Sequence, residues 1–452
     1  MIKKLLSYFD IENNRNSILV LIALICVFEA VVYRQENWLQ TMSLQETTLG
    51  SVQYYYTNGY QYENDIDNAP LYLEAFVLGQ SAYSMAGVNS NHEKKLYSGS
   101  YVADTFRILL PFLASFLLPF LTLHDAYLTI NTLYWICTSY AMLYLGEHIF
   151  NSKMVGVISA LLCATSYQFI ILATDPKAAI FQLSAVAILT ALAFYLDHFS
   201  NDDSFPALGN SLLLGGLGGV LVFGSIGSIF FLPFLLLYGI LSQRFPIFLK
   251  RNLVFGVGML LIVTPILSFV DQGTSATSNT HLIGTLSGID WGRWWAVYKF
   301  KMTHHFAFLV PVHFWLGASI GFWAANREQR KIVLCMFTFF LLSEALMLTA
   351  SSPYFNWTIS YYYLQVLFPI YLLNAFFIQQ VVLFGKEHRI KKAFTHALLA
   401  VFIVLTIVTS NLPLLGNYYY YYISGRHTPV QVLYHSFFTF NNIYVYRDMF
   451  YK

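Results

Sequence analysis

Apolar residues in this chain fall into long blocks that are hydrophobic all round. They do not alternate as in a half-buried strand, nor form the narrow stripe of a soluble amphipathic helix. Blocks of this kind, near the ~20 residues needed to cross a bilayer, predict transmembrane helices. We place them at 17–33, 126–146, 154–173, 177–196, 208–223, 228–242, 253–270, 306–324, 332–350, 361–384 and 393–411, about eleven spans in all. One more apolar run lies within DTFRILLPFLASFLLPFLTLHD, residues 104–125. It is short for a crossing and is interrupted by Pro111 and Pro119, so it predicts a helix over 107–120 lying along the outer leaflet.

The polar gaps between the blocks set the orientation. Lys3, Lys4 and Arg15 precede the first span, which places the N-terminus in the cytoplasm by the positive-inside rule. Counting spans from there, three basic loops also fall inside. They carry Arg244, Lys250 and Arg251, then Arg327, Arg330 and Lys331, then Lys386, Arg389, Lys391 and Lys392. The segment 34–104, Asp175, the segment from Asp271 to His305, SSPYFNWT and the tail from Leu412 then fall outside. The first of these is about 70 residues long, a length that predicts structure or function of its own. The chain thus divides into a core module over 1–200 with its external loop 34–104, further membrane helices over 201–411, and an external tyrosine-rich tail over 412–452.

Composition agrees with an all-α integral membrane protein. Of 452 residues, 57% are hydrophobic and 11% charged, and the mean hydropathy is +0.55, whereas soluble domains carry about a quarter charged residues. The net charge of +2 is spread over short clusters between spans, which gives no basic face for nucleic acid. Cys26, Cys137, Cys163 and Cys335 all lie in apolar runs without metal-like spacing and read as packing residues. The run GNSLLLGGLGGVLVFGSIGSIFF, rich in small residues, predicts a closely packed helical hairpin. It follows no strand and carries no lysine after its glycines, so it is not a phosphate loop.

The candidate chemistry lies on the external face. Asp65 and Asp67 stand in NDIDNAP, and Asp175 stands in ATDPKAA. Each has a structural role open to it, since Asp before a Pro-initiated helix is a common cap. Together, acids on one face could also act as a general base or ligate a hard cation such as a divalent metal. Arg107, Lys177, Arg293, Lys299 and Lys301 are external cations suited to a phosphate, Arg through a bidentate fork and Lys as a point charge. The alternative for WGRWW, around Arg293, is anchoring in the headgroup belt. His304 and His305 are adjacent and would point about 100 degrees apart on a helix, a poor pair for one metal. Glu29 and Glu344 lie within spans and could face a cavity or a neighbouring helix.

The order of these features resembles the membrane glycosyltransferases of the GT-C fold, in the protein O-mannosyltransferase and aminoarabinose transferase branch. The likeness rests on DNAPLYLEAFVLG from Asp67, RILLPFLASFLL from Arg107, NTLYWICTSYAMLYLGEHIF from Asn131 and VGVISALLCATSYQFIILATDP ending at Pro176. Farther on, YYYLQVLFPIYLL, residues 361–373, is similar to the tyrosine-and-proline span of that branch. The resemblance implies that Asp67, with Asp65 as its alternative, is the first-loop catalytic acid and Asp175 the second-loop acid. It implies a polyprenyl-phosphate-linked sugar as donor, bound from the membrane lipid on the non-cytoplasmic face; the acceptor is left open. Two other classes fit the same chain: a catalytically inactive subunit of this fold in a membrane complex, and a transporter or lipid flippase.

Overall fold

The structure, a computed structural model, describes residues 15–32, 123–166, 179–224, 231–270, 312–350, 366–385 and 393–406, with isolated positions between them. These form α1 (Arg15–Val32), α2 (Leu123–Phe150), α3 (Lys153–Ala164), α4 (Ala179–Tyr195), α5 (Phe205–Val222), α6 (Phe231–Ser242), α7 (Phe245–Val270), α8 (Val312–Ala324), α9 (Arg327–Ala350), α10 (Leu367–Gly385) and α11 (Ala393–Thr406). No strand occurs among the described residues. The helices α1, α5, α10 and the Phe245–Ile266 part of α7 are long and apolar enough to cross a membrane, and α3, α6, α11 and Leu183–Tyr195 of α4 are shorter apolar helices. The protein is therefore an all-α membrane protein. Its helices begin near the predicted blocks, with two informative differences. Lys250 and Arg251, expected in a loop, lie inside the first turns of α7, and Arg327, Arg330 and Lys331 lie in the first turns of α9.

The chain forms two compact units, the first made of residues 1–31, 135–171 and 289–452. Here α1 buries Ile18, Ile22, Cys26 and Ala30, a stripe at spacing four that a single neighbour can cover. That neighbour is α2. Arg15 pairs with Glu147 at 3.2 Å, the Tyr140 hydroxyl donates to the Leu19 carbonyl at 2.7 Å, and Cys26 Sγ lies 3.9 Å from Ser139 Oγ. Residue numbers rise on one helix as they fall on the other, so the pair is antiparallel.

The rest of this unit alternates in the same way. α2 turns into α3 through Asn151, whose φ of 48° is left-handed, while the Ser152 amide donates to Glu147 O at 3.2 Å; Asn tolerates that conformation at a helix end. The Trp135 indole N–H then donates to Cys163 O at 3.1 Å, and Gly146 faces Gly156 so closely that neither has space for a Cβ. α3 meets α10 antiparallel, with Gln379 Nε2 donating to Ser152 Oγ at 2.8 Å, Ser166 Oγ and Tyr371 OH 2.6 Å apart, and Phe169 against Phe368 at 6.1 Å. α10 is the axis of the unit, with every residue from Leu367 to Phe377 buried. It runs parallel to α8 and antiparallel to α11. Phe314 meets Tyr371, the Asn374 amide donates to Phe314 O at 2.8 Å, Thr395 packs on Gly385 and Phe377 on Phe402.

Two ends follow from this alternation. The C-terminal ends of α1, α3 and α11 and the N-terminal ends of α8 and α10 share one end of the unit. The other end gathers Arg15, Lys153, Arg327, Arg330 and Lys331, all of the described Lys and Arg in this unit. There α9 starts with a reciprocal cap: the Gln329 amide donates to Asn326 Oδ1 and the Asn326 amide to Gln329 Oε1, each at 2.9 Å, satisfying two otherwise orphaned N–H groups.

The second unit, residues 32–134 and 172–288, is built on α5 and α7. The small residues of α5 do pack closely, but against α7 and not against α6, which follows it in the chain. A Cβ on Gly215 would collide with the Phe255 carbonyl, and one on Gly258 with the Leu212 carbonyl. Backbone contact this close needs glycine on both helices, and in lipid such contact replaces the hydrophobic driving force. Gly216, one residue on, has its nearest neighbour at 3.9 Å. We expect Gly215→Ala to lower the stability of the detergent-solubilised protein by about 1–3 kcal/mol through overpacking. Gly216→Ala should leave it unchanged or raise it by roughly 0.5–1 kcal/mol. Equal thermal unfolding of the two variants would contradict the α5–α7 contact.

Candidate functional site

The residues to which the sequence assigns chemistry, Asp65, Asp67, Arg107, Asp175, Lys177, Arg293, Lys299, Lys301, His304 and His305, all lie outside the described residues. So do the whole of the 34–104 loop and the side chain of Glu344. The described helices fix the ends from which several of these segments depart. α1 leads into the segment of Asp65 and Asp67, and α3 into that of Asp175. The segment holding Arg293 to His305 leads into α8. Those three helix ends lie together at the end of the first unit that carries no described Lys or Arg.

Near that end the described side chains form a small polar seam in an apolar wall. Ser166 and Tyr371 share a buried hydrogen bond. Asn374, one turn farther along α10, is fully buried. Its amide N–H groups serve Phe314 O and Ile370 O, both at 2.8 Å, and its Oδ1, without a hydrogen-bond partner among the described residues, occupies the space that a Cβ on Gly317 would need. A buried amide of this kind fixes the register of α8 on α10. Glu29 is half-buried on α1. The four cysteines are free, with Cys26, Cys163 and Cys335 buried as packing residues, while Cys137 is exposed on α2.

The densest polar arrangement lies in the second unit, where the 196–204 turn meets α6 and α7. The turn after α4 passes through Asp197, left-handed at φ 54°, with the amides of Asp197 and His198 donating to Phe194 O and Ala193 O at 3.1 and 2.9 Å, as in a Schellman cap. Arg251 is fully buried. It donates to Asp202 O and Ser200 Oγ at 2.9 and 2.8 Å and to Asp197 O, so its fork is matched to backbone carbonyls and a hydroxyl instead of a carboxylate. Gln243 Nε2 ties His198 O and Ser200 O at 2.6 and 3.0 Å. The Arg244 amide donates to Asn201 Oδ1 at 2.7 Å. The Ser204 amide and hydroxyl donate to the Asp202 carboxylate at 2.9 and 2.8 Å and hold its pKa below the usual range.

His198 is fully buried, with Nδ1 3.0 Å from Ser211 Oγ and the rings of Phe199 and Phe255 against its own. Burial first, and the Arg251 charge second, push its pKa down to about 4. The folded protein therefore favours neutral imidazole more than the unfolded chain does. This contribution is complete above the unfolded pKa of ~6.5 and is lost as the pH falls toward the folded value, because the unfolded state then binds the extra proton. From pH 7 to pH 4 we expect a loss of about 3 kcal/mol from this group. His198→Gln should flatten that part of a thermal-unfolding profile against pH, and an unchanged slope would contradict the assignment.

This knot is structural in its chemistry. Its cation is engaged by carbonyls, and its imidazole is held neutral and out of contact with water. Among the described residues no three His, Cys, Asp or Glu side chains stand close enough to hold a metal ion. From the sequence, Arg251 has only a topological role. Its neighbour Lys250 has that exposed character, pairing with Asp203 at 3.3 Å, and nothing in the pattern of two adjacent basic residues distinguishes them.

The described helices define an all-α membrane protein. No protein-family model matches the chain, and no curated protein matches it.

Proposed function

We propose that this protein is a GT-C-like glycosyltransferase with about eleven membrane spans, moving a sugar from a polyprenyl-phosphate-linked donor to an acceptor outside the cytoplasm. In this reading Asp67, with Asp65 as its alternative, is general base or metal ligand, and Asp175 assists it. Lys177 and Arg107, with Arg293, Lys299 and Lys301, neutralise the donor phosphate. Positioning and charge stabilisation supply the rate enhancement.

The observation that supports the reading is the arrangement of helix ends in the first unit. The C-terminal ends of α1 and α3 share one end of that unit, so the chain runs on toward Asp65, Asp67 and Asp175 from a common level. The described basic residues of this unit gather at the opposite end, which the positive-inside rule makes cytoplasmic. The acids then belong to segments that leave the membrane on the non-cytoplasmic side, in the cell-envelope membrane where a lipid-linked donor is presented.

A polyprenyl phosphate without sugar is the simplest probe. The purified protein in nanodiscs should bind it saturably, as measured by native mass spectrometry. Arg107→Ala and Lys177→Ala should each weaken binding by roughly tenfold or more, since a charge-assisted hydrogen bond is lost. Binding that is absent, or that both variants leave unchanged, would remove the phosphate site from the proposal.

A further inference from the structure

We draw no further inference here: the strongest candidate, the buried polar cluster of His198, Gln243, Asn252 and Arg251 where the 196–204 turn meets α6 and α7, carries nothing because the N–H donors of Gln243, Arg251 and Asn252 are engaged by carbonyls of that turn and of α7, which makes it part of the structural knot already described.

Discussion

Asp67→Asn and Asp175→Asn should each lower sugar transfer by roughly 100-fold to 10,000-fold, the usual consequence of losing a general base, while the protein stays folded in the membrane. Asparagine keeps the size of the side chain and part of its hydrogen bonding. It neither accepts the acceptor's proton nor offers a full charge to a cation. A capping role predicts the opposite pattern, with stability lower by about 1 kcal/mol and activity per folded molecule intact. Measuring both transfer rate and thermal unfolding for each variant separates the two. Asp65→Asn belongs in the same series, because inactivity in that variant alone would move the catalytic role from Asp67 to Asp65. Full activity in all three would leave the inactive-subunit reading in front.

The largest stability effect is expected at Arg251. Arg251→Met removes a buried fork, strands the Asp197 and Asp202 carbonyls and takes one of two donors from the Ser200 hydroxyl. Leaving these part-buried acceptors short of donors, and losing the packing of the buried side chain, should cost on the order of 2–4 kcal/mol. Arg251→Lys should recover only part of this, since a single ammonium does not reproduce the planar fork. Lys250→Met is the control next door. That lysine is half-exposed and paired with an exposed Asp203, so its loss should change stability by less than about 1 kcal/mol. Thermal unfolding in detergent ranks the three. An Arg251→Met variant as stable as Lys250→Met would show that the knot does not hold the turn between α4 and α5.

Much of the helical plan was legible in the sequence because an all-round apolar block has one outcome in a membrane. The predicted blocks at 17–33, 208–223 and 361–384 correspond to α1, α5 and α10 with boundaries displaced by a few residues. Charges extend two of the helices: α7 and α9 begin earlier than their apolar blocks because Lys250, Arg251, Arg327, Arg330 and Lys331 sit in their first turns. Partner choice was not legible. Glycine spacing predicts that α5 packs closely, yet the contact falls on α7, since hydrophobic periodicity is blind to which neighbour supplies the matching glycine, here Gly258. The buried roles of Arg251 and Asn374 were equally hidden, because both depend on carbonyls far away in sequence. For the candidate site the sequence remains the source, through acids and cations in polar segments between spans, and the described helices contribute the level from which those segments depart.

Donor turnover is the direct readout of the proposed transfer. Purified protein in nanodiscs, supplied with a panel of polyprenyl-phosphate sugars and an extract of cell-envelope acceptors, should release free polyprenyl phosphate from at least one donor, and the Asp67→Asn protein should not. Wild-type protein that binds polyprenyl phosphate but releases none from any donor, or releases it no faster than Asp67→Asn, would contradict the proposed transfer.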